Sequence, residues 1–493
     1  MPELSARRRV LVLAICCTSL LVVGMDNTIV NVALPSMRHD LDASVSSLQW
    51  TIDAYTLVLA SFLMLAGSTA DRVGRRRTFQ TGLAAFGLGS LLCSLAPSAG
   101  WLIAARAVQA VGGTMLNPVA MSIITNTFTD RVERARAIGV WGAVSGLSLG
   151  LGPVVGGALV DAAGWRSIFW VNVPIVIVAI VCTALFVPES RAVRPRRFDP
   201  VGQLMVIMVL GSVVYGIIES PRLGWASPEI LSLAGVAVLG VVGILLYEPR
   251  RADPLLELRF FRSIPFVGAT VTAVSAFCGF GAFLFLNTLY LQDVRGFSAF
   301  DAGLCTLPVA VLIVVLAPLT GRVVGAVGPR IPLLVAGGAT TLAGLALTWL
   351  TPVTPLLALL GVYLLVGIGQ GTINPPITNS AVSGMPSSMA GVAASVASTS
   401  RQTGATLGVA ISGSVVGASV ARGGVEFTQA GHVVWWLLAG IGLVIASLGL
   451  ITTSRRALAS ADRAAALFAG VDAGPPTGRA VAVPSRGGTT GSG

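Results

Sequence analysis

Gly67-Ser68-Thr69-Ala70-Asp71-Arg72-Val73-Gly74-Arg75-Arg76 follows one apolar stretch early in the chain, and Gly321-Arg322-Val323-Val324-Gly325-Ala326-Val327-Gly328-Pro329-Arg330 follows another far downstream. Gly67 and Gly321 stand about 250 positions apart, and so do Asn117-Pro118, after Gly112-Gly113, and Asn374-Pro375, after Gly369. Two unrelated patterns sharing nearly one offset indicate a duplicated chain. The fold is then two copies of one unit.

What each copy is made of follows from composition. Of 493 residues 54% are hydrophobic and only 11% charged, and the mean hydropathy of +0.84 lies beyond the range of soluble domains. The chain reads as an all-α integral membrane protein. At about 20 apolar residues per crossing there are about fourteen helices, near 10–34, 48–70, 79–97, 101–124, 135–160, 166–187, 201–220, 228–247, 265–290, 300–324, 331–350, 354–378, 389–418 and 432–452. The plan is six, two and six spans: an N-terminal bundle over 1–198, two linker helices over 199–250, a C-terminal bundle over 251–456, and a cytoplasmic tail, 457–493, largely disordered, that begins Ala-rich as a short interfacial helix and ends in Pro, Gly, Ser and Thr.

All 32 basic residues are arginines, and the net charge is +11. Twenty-two fall in one alternate set of loops and at the termini, whereas only Arg38, Arg166, Arg222, Arg295 and Arg422 fall in the other set. That asymmetry places both chain ends in the cytoplasm and gives the charge a topological role, with no nucleic-acid partner. Six cysteines without paired spacing and two histidines near span ends offer no metal cluster. No cofactor is called for. An enzyme would need a nucleophile with its base, or a metal site, and neither pattern is present.

Two acids break the apolar pattern of the first two spans. Asp26 sits in Met25-Asp26-Asn27-Thr28-Ile29-Val30-Asn31, and Asp53 in Trp50-Thr51-Ile52-Asp53-Ala54-Tyr55. A carboxylate at membrane depth costs roughly 2.5 to 3.5 kcal/mol on insertion scales, so each is a functional-site expectation. At 1.5 Å per residue, Asp26 lies about 12 Å from the outer end of its span, and Asp53 and Arg106 about 8 Å from theirs. Buried amides, Asn27, Asn31, Gln109, Asn117, Asn287, Gln370 and Asn374, are expected to line a cavity, because each must find a partner or water. Arg401, near the middle of the thirteenth span, must be satisfied by carbonyls, water or substrate. Glu219, next to Pro221 at the end of the seventh span, reads as interfacial.

The first loop matches the signature Gly-x-x-x-Asp-Arg-x-Gly-Arg-Arg through Gly67, Asp71, Arg72, Gly74, Arg75 and Arg76, a turn in which Asp71 can hold a neighbouring arginine or a helix N-terminus as a latch. Its second copy has Gly325 in place of Asp71, so the latch belongs to one half. Gly146, Gly150, Gly152-Pro153 and Gly156-Gly157 form a small-residue stripe on the fifth span, and packing alone accounts for the glycines. As a string, however, Gly-Leu-Gly-Pro-Val-Val-Gly-Gly resembles the antiporter motif of the Major Facilitator Superfamily. With Asp-x-Thr-x-x-Asn-x-Ala-Leu-Pro from Asp26, Trp165-Arg166, Asn172-Val173-Pro174 and Arg401-Gln402 with Gly404 and Gly408, the chain resembles the fourteen-span drug:proton antiporter branch, the QacA/EmrB-like exporters, up to about Arg456.

That resemblance implies two pseudo-symmetric six-helix bundles, alternating access, and export of a hydrophobic, even cationic, small molecule against protons across a bacterial cell membrane by a monomer. It makes Asp26 the coupling acid and Arg106 the proton-transfer arginine, and sets Asp53 at a position where some cation exporters carry an acid. Arg106 is expected to pair with Asp26. A pump dedicated to one secondary metabolite fits the same residues, and so does a membrane sensor that moves nothing.

Overall fold

A computed structural model describes residues 5–191, 198–251, 254–385, 389–420 and 422–468. Its helices are α1 (Ala6–Asp40), α2 (Val45–Val73), α3 (Arg75–Ser94), α4 (Ala99–Thr127), α5 (Arg131–Ala163), α6 (Ser167–Trp170), α7 (Asn172–Phe186), α8 (Pro200–Leu223), α9 (Pro228–Tyr247), α10 (Ile264–Leu289), α11 (Ala299–Cys305), α12 (Leu307–Val327), α13 (Arg330–Leu347), α14 (Leu356–Val382), α15 (Ala390–Val420), α16 (Gly424–Thr452) and α17 (Arg455–Ala466). No strand occurs among the described residues. Starts are written locally: Ser44, Ser98, Asp130, Asp199, Ser227 and Ser263 each accept a first-turn amide.

Thirteen helical segments among the described residues are long and apolar enough to cross a membrane. The sequence suggests fourteen; the missing one is α3, which opens on Arg75-Arg76-Arg77 and carries Gln80 and three glycines, so its apolarity falls short although it has 20 residues. The expected tenth span is broken, α11 stopping at Cys305 and α12 restarting with Pro308 in its first turn. A π-helical turn, Tyr290–Val294, extends α10. Beyond the last long helix, α17 buries Ala457, Ser460, Ala461 and Ala464, and Ser460 Oγ accepts the Ile264 amide at 2.9 Å. The segment 469–493, expected to be disordered, lies outside the described residues.

Packing repeats between the halves. In the first half α1 packs on α5, α2 on α4, and α3 on α4 and α7; in the second α10 packs on α15, α12 on α14, and α13 on α14 and α16. The two halves meet along two related seams, α2 with α15 and α5 with α11 and α12. Helix α8 lies against both α2 and α15, and α9 packs on α8. Glu219 on α8, read as interfacial from sequence, is buried: Trp50 Nε1 donates to its Oε1 at 3.1 Å and Arg222 Nε to its Oε2 at 3.0 Å.

The seam between α5 and its partners is graded along its length. At one end Gly157 and Gly303 face the backbones of Ala299 and Pro153 so closely that neither could bear a side chain, and a methyl group on Gly150 would sit 2.6 Å from Ala310 Cβ. At Gly146 the gap to Ile313 is 3.8 Å, and nothing lies within 4 Å of such a group on Gly142 or Gly139. The helices therefore splay toward the face that carries the arginine-rich loops. They are locked at the far face. There Arg38 Nη1 pairs with Asp293 at 3.0 Å, Gln292 Nε2 donates to Val32 O at 2.8 Å, and Asp161 accepts the Ala299 and Phe300 amides at 3.2 and 3.0 Å. The last contact sets an acid of one half against the start of a helix in the other. Beside the lock an open recess of about 580 Å³ lies among Pro35, His39, Asp40, Trp165, Arg166 and Phe297.

Candidate functional site: a buried acid–arginine network

Helix α1 turns Asp26 away from the seam and into the first bundle, where Asp26 and Arg106 of α4 are each 1% exposed. Arg106 Nη1 meets Asp26 Oδ2 at 2.5 Å and Gln109 Oε1 at 2.7 Å, and its Nε donates to Thr51 O at 3.2 Å. Gln109, one turn on, returns its amide to Asp26 Oδ1 at 2.8 Å and to Ser90 Oγ at 2.8 Å. Asn172, at the start of α7, reaches Asp26 Oδ1 at 3.3 Å. The guanidinium lies 4.1 Å from the centroid of the Tyr55 ring and 5.7 Å from that of Phe169.

Six helices, α1, α2, α3, α4, α6 and α7, thus surround one charge pair. Removing two charges from water is costly, and the cost is offset only where the remaining lone pairs and protons are also met. Here Asp26 receives three donors. Small residues let the helices come so near: Gly89 and Gly112 abut the backbones of Gln109 and Phe86. Asp26, Arg106 and Gln109 stand out in the sequence, but Ser90, Tyr55 and the Thr51 carbonyl do not; Asn172, and Phe169 beside Trp165-Arg166, stand only in a motif.

Asp53 points elsewhere. It is fully buried on the α15 side of α2; Oδ1 is 3.5 Å from Thr56 Oγ1, and Oδ2 has no hydrogen-bond partner. The amides divide as well. Asn27, Asn31 and Asn117 leave their carbonyl oxygens without a partner, whereas Gln370 donates to Ala276 O at 3.1 Å, Asn287 accepts from the Tyr363 hydroxyl inside the second half, and Asn374 is half-buried on α14. Arg401 finds no carbonyl: Nη2 donates to Ser398 Oγ at 2.8 Å and Nη1 has no partner, so water or substrate is left to meet it.

Two carboxylates hold the loop motif, and the sequence names one of them. Asp71 pairs with Arg75 at 3.1 Å, inside its own turn. The grip on a helix N-terminus comes from Glu189, after α7, whose carboxylate accepts the Arg76 amide at 3.1 Å and the Arg77 amide at 3.3 Å. Gly74 is required there on two counts: its φ is +119°, and a side chain would strike Glu189 Oε1 at 2.6 Å. Glu189→Ala is expected to lower stability by about 1–2 kcal/mol through the loss of two charged hydrogen bonds at a helix start, seen as a lower melting temperature and faster amide exchange at Arg76 and Arg77.

Known proteins resemble this chain in sequence and in fold. The multidrug resistance protein Stp of Mycobacterium tuberculosis is 36% identical over 412 residues, 84% of this chain and 76% of the relative. The tetracenomycin C resistance and export protein of Streptomyces glaucescens is 34% identical over 81% of this chain and 74% of its own. In fold, the chain resembles a bacterial homologue of the human lysosomal transporter Spinster, solved in an inward-facing, unoccupied conformation, with a TM-score of 0.59 at 17% identity over 94% of this chain and 98% of that one. The Major Facilitator Superfamily model matches residues 16–409. With the paired halves, the two seams and a membrane-buried acid–arginine site already in place, this match identifies the chain as a multi-pass membrane transporter protein of the Major Facilitator Superfamily.

Proposed function

We propose that the chain is a proton-coupled antiporter that exports hydrophobic, in part cationic, drugs or antibiotics by alternating access. The observation that carries this reading is the Asp26–Arg106 pair, a titratable group sealed in a membrane-spanning bundle with a cation held against it. The export function draws on the relatives' names, multidrug resistance for one and resistance and export for the other. Tetracenomycin C in the second name also favours a narrower version, a pump for one secondary metabolite.

In this reading the arginine-rich face lies in the cytoplasm of a bacterial cell, as the positive-inside rule directs. Both chain ends are cytoplasmic, and the far-face lock closes the outside. The protein works as a monomer of fourteen spans, α3 included, divided at 198, 250 and 456. Substrate enters between the splayed halves, where the unpartnered oxygens of Asn27, Asn31 and Asn117 and the free Nη1 of Arg401 offer hydrogen bonds. Asp26 takes a proton from the outside and yields it inside; Arg106 competes with that proton, and so ties its release to helix movement. Each proton charge moving inward contributes about 2.3 kcal/mol per 100 mV, enough for concentrative efflux.

The test is a panel of neutral and cationic compounds, measuring resistance of cells and dye efflux from energised vesicles with and without the chain. Efflux that collapses when the proton gradient is dissipated is expected. A chain that moves no compound under any gradient would be the sensor instead.

A further inference from the structure

On α2, Gln49, Asp53 and Thr56 share one face, and that face is closed against α15. Gln49 Nε2 donates to Val409 O at 3.2 Å and Ala410 O at 2.8 Å, and Thr406 Oγ1 donates to Thr56 Oγ1 at 2.7 Å. Asp53 lies between these bonds, fully buried, with one 3.5 Å contact to Thr56 and an oxygen that nothing meets. Among the described residues no cation is paired with it. Arg106 of α4 and Asp26 of α1 are bonded to each other on another side of α2, with Arg106 holding Thr51 O. Arg401 of α15 reaches Ser398; Glu219 of α8 is engaged by Trp50 and Arg222; Asp71 and Arg75 pair at the α2–α3 turn. A carboxylate charge shut into such a place is disfavoured, because it has neither counter-charge nor enough donors.

We propose that Asp53 is a proton-operated lock of the α2–α15 seam: the seam closes over the neutral acid, and loss of the proton opens it toward the far face. The inference rests on the antiport reading for its place in the cycle. With the far face open, a proton from water there binds a carboxylate oxygen of Asp53; the only bond made is that O–H. Closure then buries the neutral acid beside Thr56, and the Thr56–Thr406 hydroxyl pair joins the halves. Breaking of that O–H, with the proton passing to water between the halves where they splay toward the arginine-rich face, leaves an uncompensated charge in the seam, which reopens it. Asp53 is in this account a gate residue and touches no substrate, in contrast to the cation-binding role that the sequence resemblance implies.

The experiment places spin labels at Ser46 on α2 and Ala418 on α15 in the full chain, reconstituted in lipid nanodiscs, and follows the interlabel distance from pH 5 to pH 9. The native chain is expected to shift from the short to the long distance with a single-proton profile, by at least about tenfold in population. Asp53→Asn, a neutral isostere, is expected to hold the short distance at every pH, and Asp53→Glu to restore the transition. An Asp53→Asn chain that titrates like the native one overturns the proposal, as does an Asp53→Glu chain that stays short throughout. Proton-driven flux is measured on the same chains in proteoliposomes. Absence of flux in the native chain would overturn the antiport reading, while the distance profiles decide the lock independently.

Discussion

Asp26→Asn is expected to abolish proton-driven export while leaving a folded protein, and Arg106→Ala to abolish export and destabilise as well. The asparagine keeps the size and some hydrogen bonds of Asp26 but cannot take up and release the proton. Removing Arg106 leaves the Asp26 carboxylate buried without its counter-charge, a change of about 3–5 kcal/mol for a broken buried pair. Gln109 and Asn172 still donate to Asp26, which keeps the loss toward the lower end of that range. The double variant Asp26→Asn with Arg106→Gln is expected to recover most of the melting temperature and none of the transport. Melting curves beside efflux assays separate the two effects; full proton-driven transport by Arg106→Ala would remove Arg106 from the mechanism.

Gly157→Val is the second change with a large expected effect. Gly157 abuts the Ala299 and Phe300 backbone, and Gly303 returns the contact against Pro153. Backbone cannot swing aside as a flexible side chain does, so the added methyl groups hold the two halves apart at the far face. Overpacking of this kind costs typically about 1–3 kcal/mol, which shifts the closed population by about fivefold or more. Transport should fall in proportion, and a cysteine pair across Arg38 and Asp293 should cross-link more slowly. Gly142→Ala, on the same helix where the halves have splayed, is expected to be nearly silent. Equal losses at both positions would mean that the stripe serves packing within one bundle and not closure between two.

How much of this was legible beforehand depended on whether a residue declared an energetic anomaly. Asp26 did, since a lone acid in an apolar span has few tolerable explanations. The repeat did too, since it is a matter of register along the chain. Ser90 and Tyr55 declared nothing: a serine on a glycine-rich helix and a tyrosine among apolar residues are unremarkable until a neighbouring helix brings Gln109 to 2.8 Å from the one and Arg106 over the ring of the other. The same holds for Glu189, whose grip on the start of α3 depends on how α7 ends, and for Asp161, which reads as an ordinary acid at a span end. Asp53 was visible as an acid, but the sealed seam around it is a property of two helices hundreds of residues apart. Glu219 stands at the end of its span, where an interfacial position is expected, but its burial depends on the packing of α8 on α2, which brings Trp50 to it. The span count differs at α3 because its arginines and glycines dilute an apolar signal that its neighbours α4 and α7 replace by packing.

The central claim is that substrate and proton move in opposite directions through one chain with Asp26 as the coupling acid. Its most direct measurement is the proton signal evoked by substrate: proteoliposomes preloaded with a proton gradient and a pH-sensitive dye, to which a transported compound is added. The native chain is expected to discharge the gradient as substrate moves against it, and Asp26→Asn to give no proton signal. Substrate movement by the native chain with no accompanying proton flux, or a full proton signal from Asp26→Asn, would contradict the account.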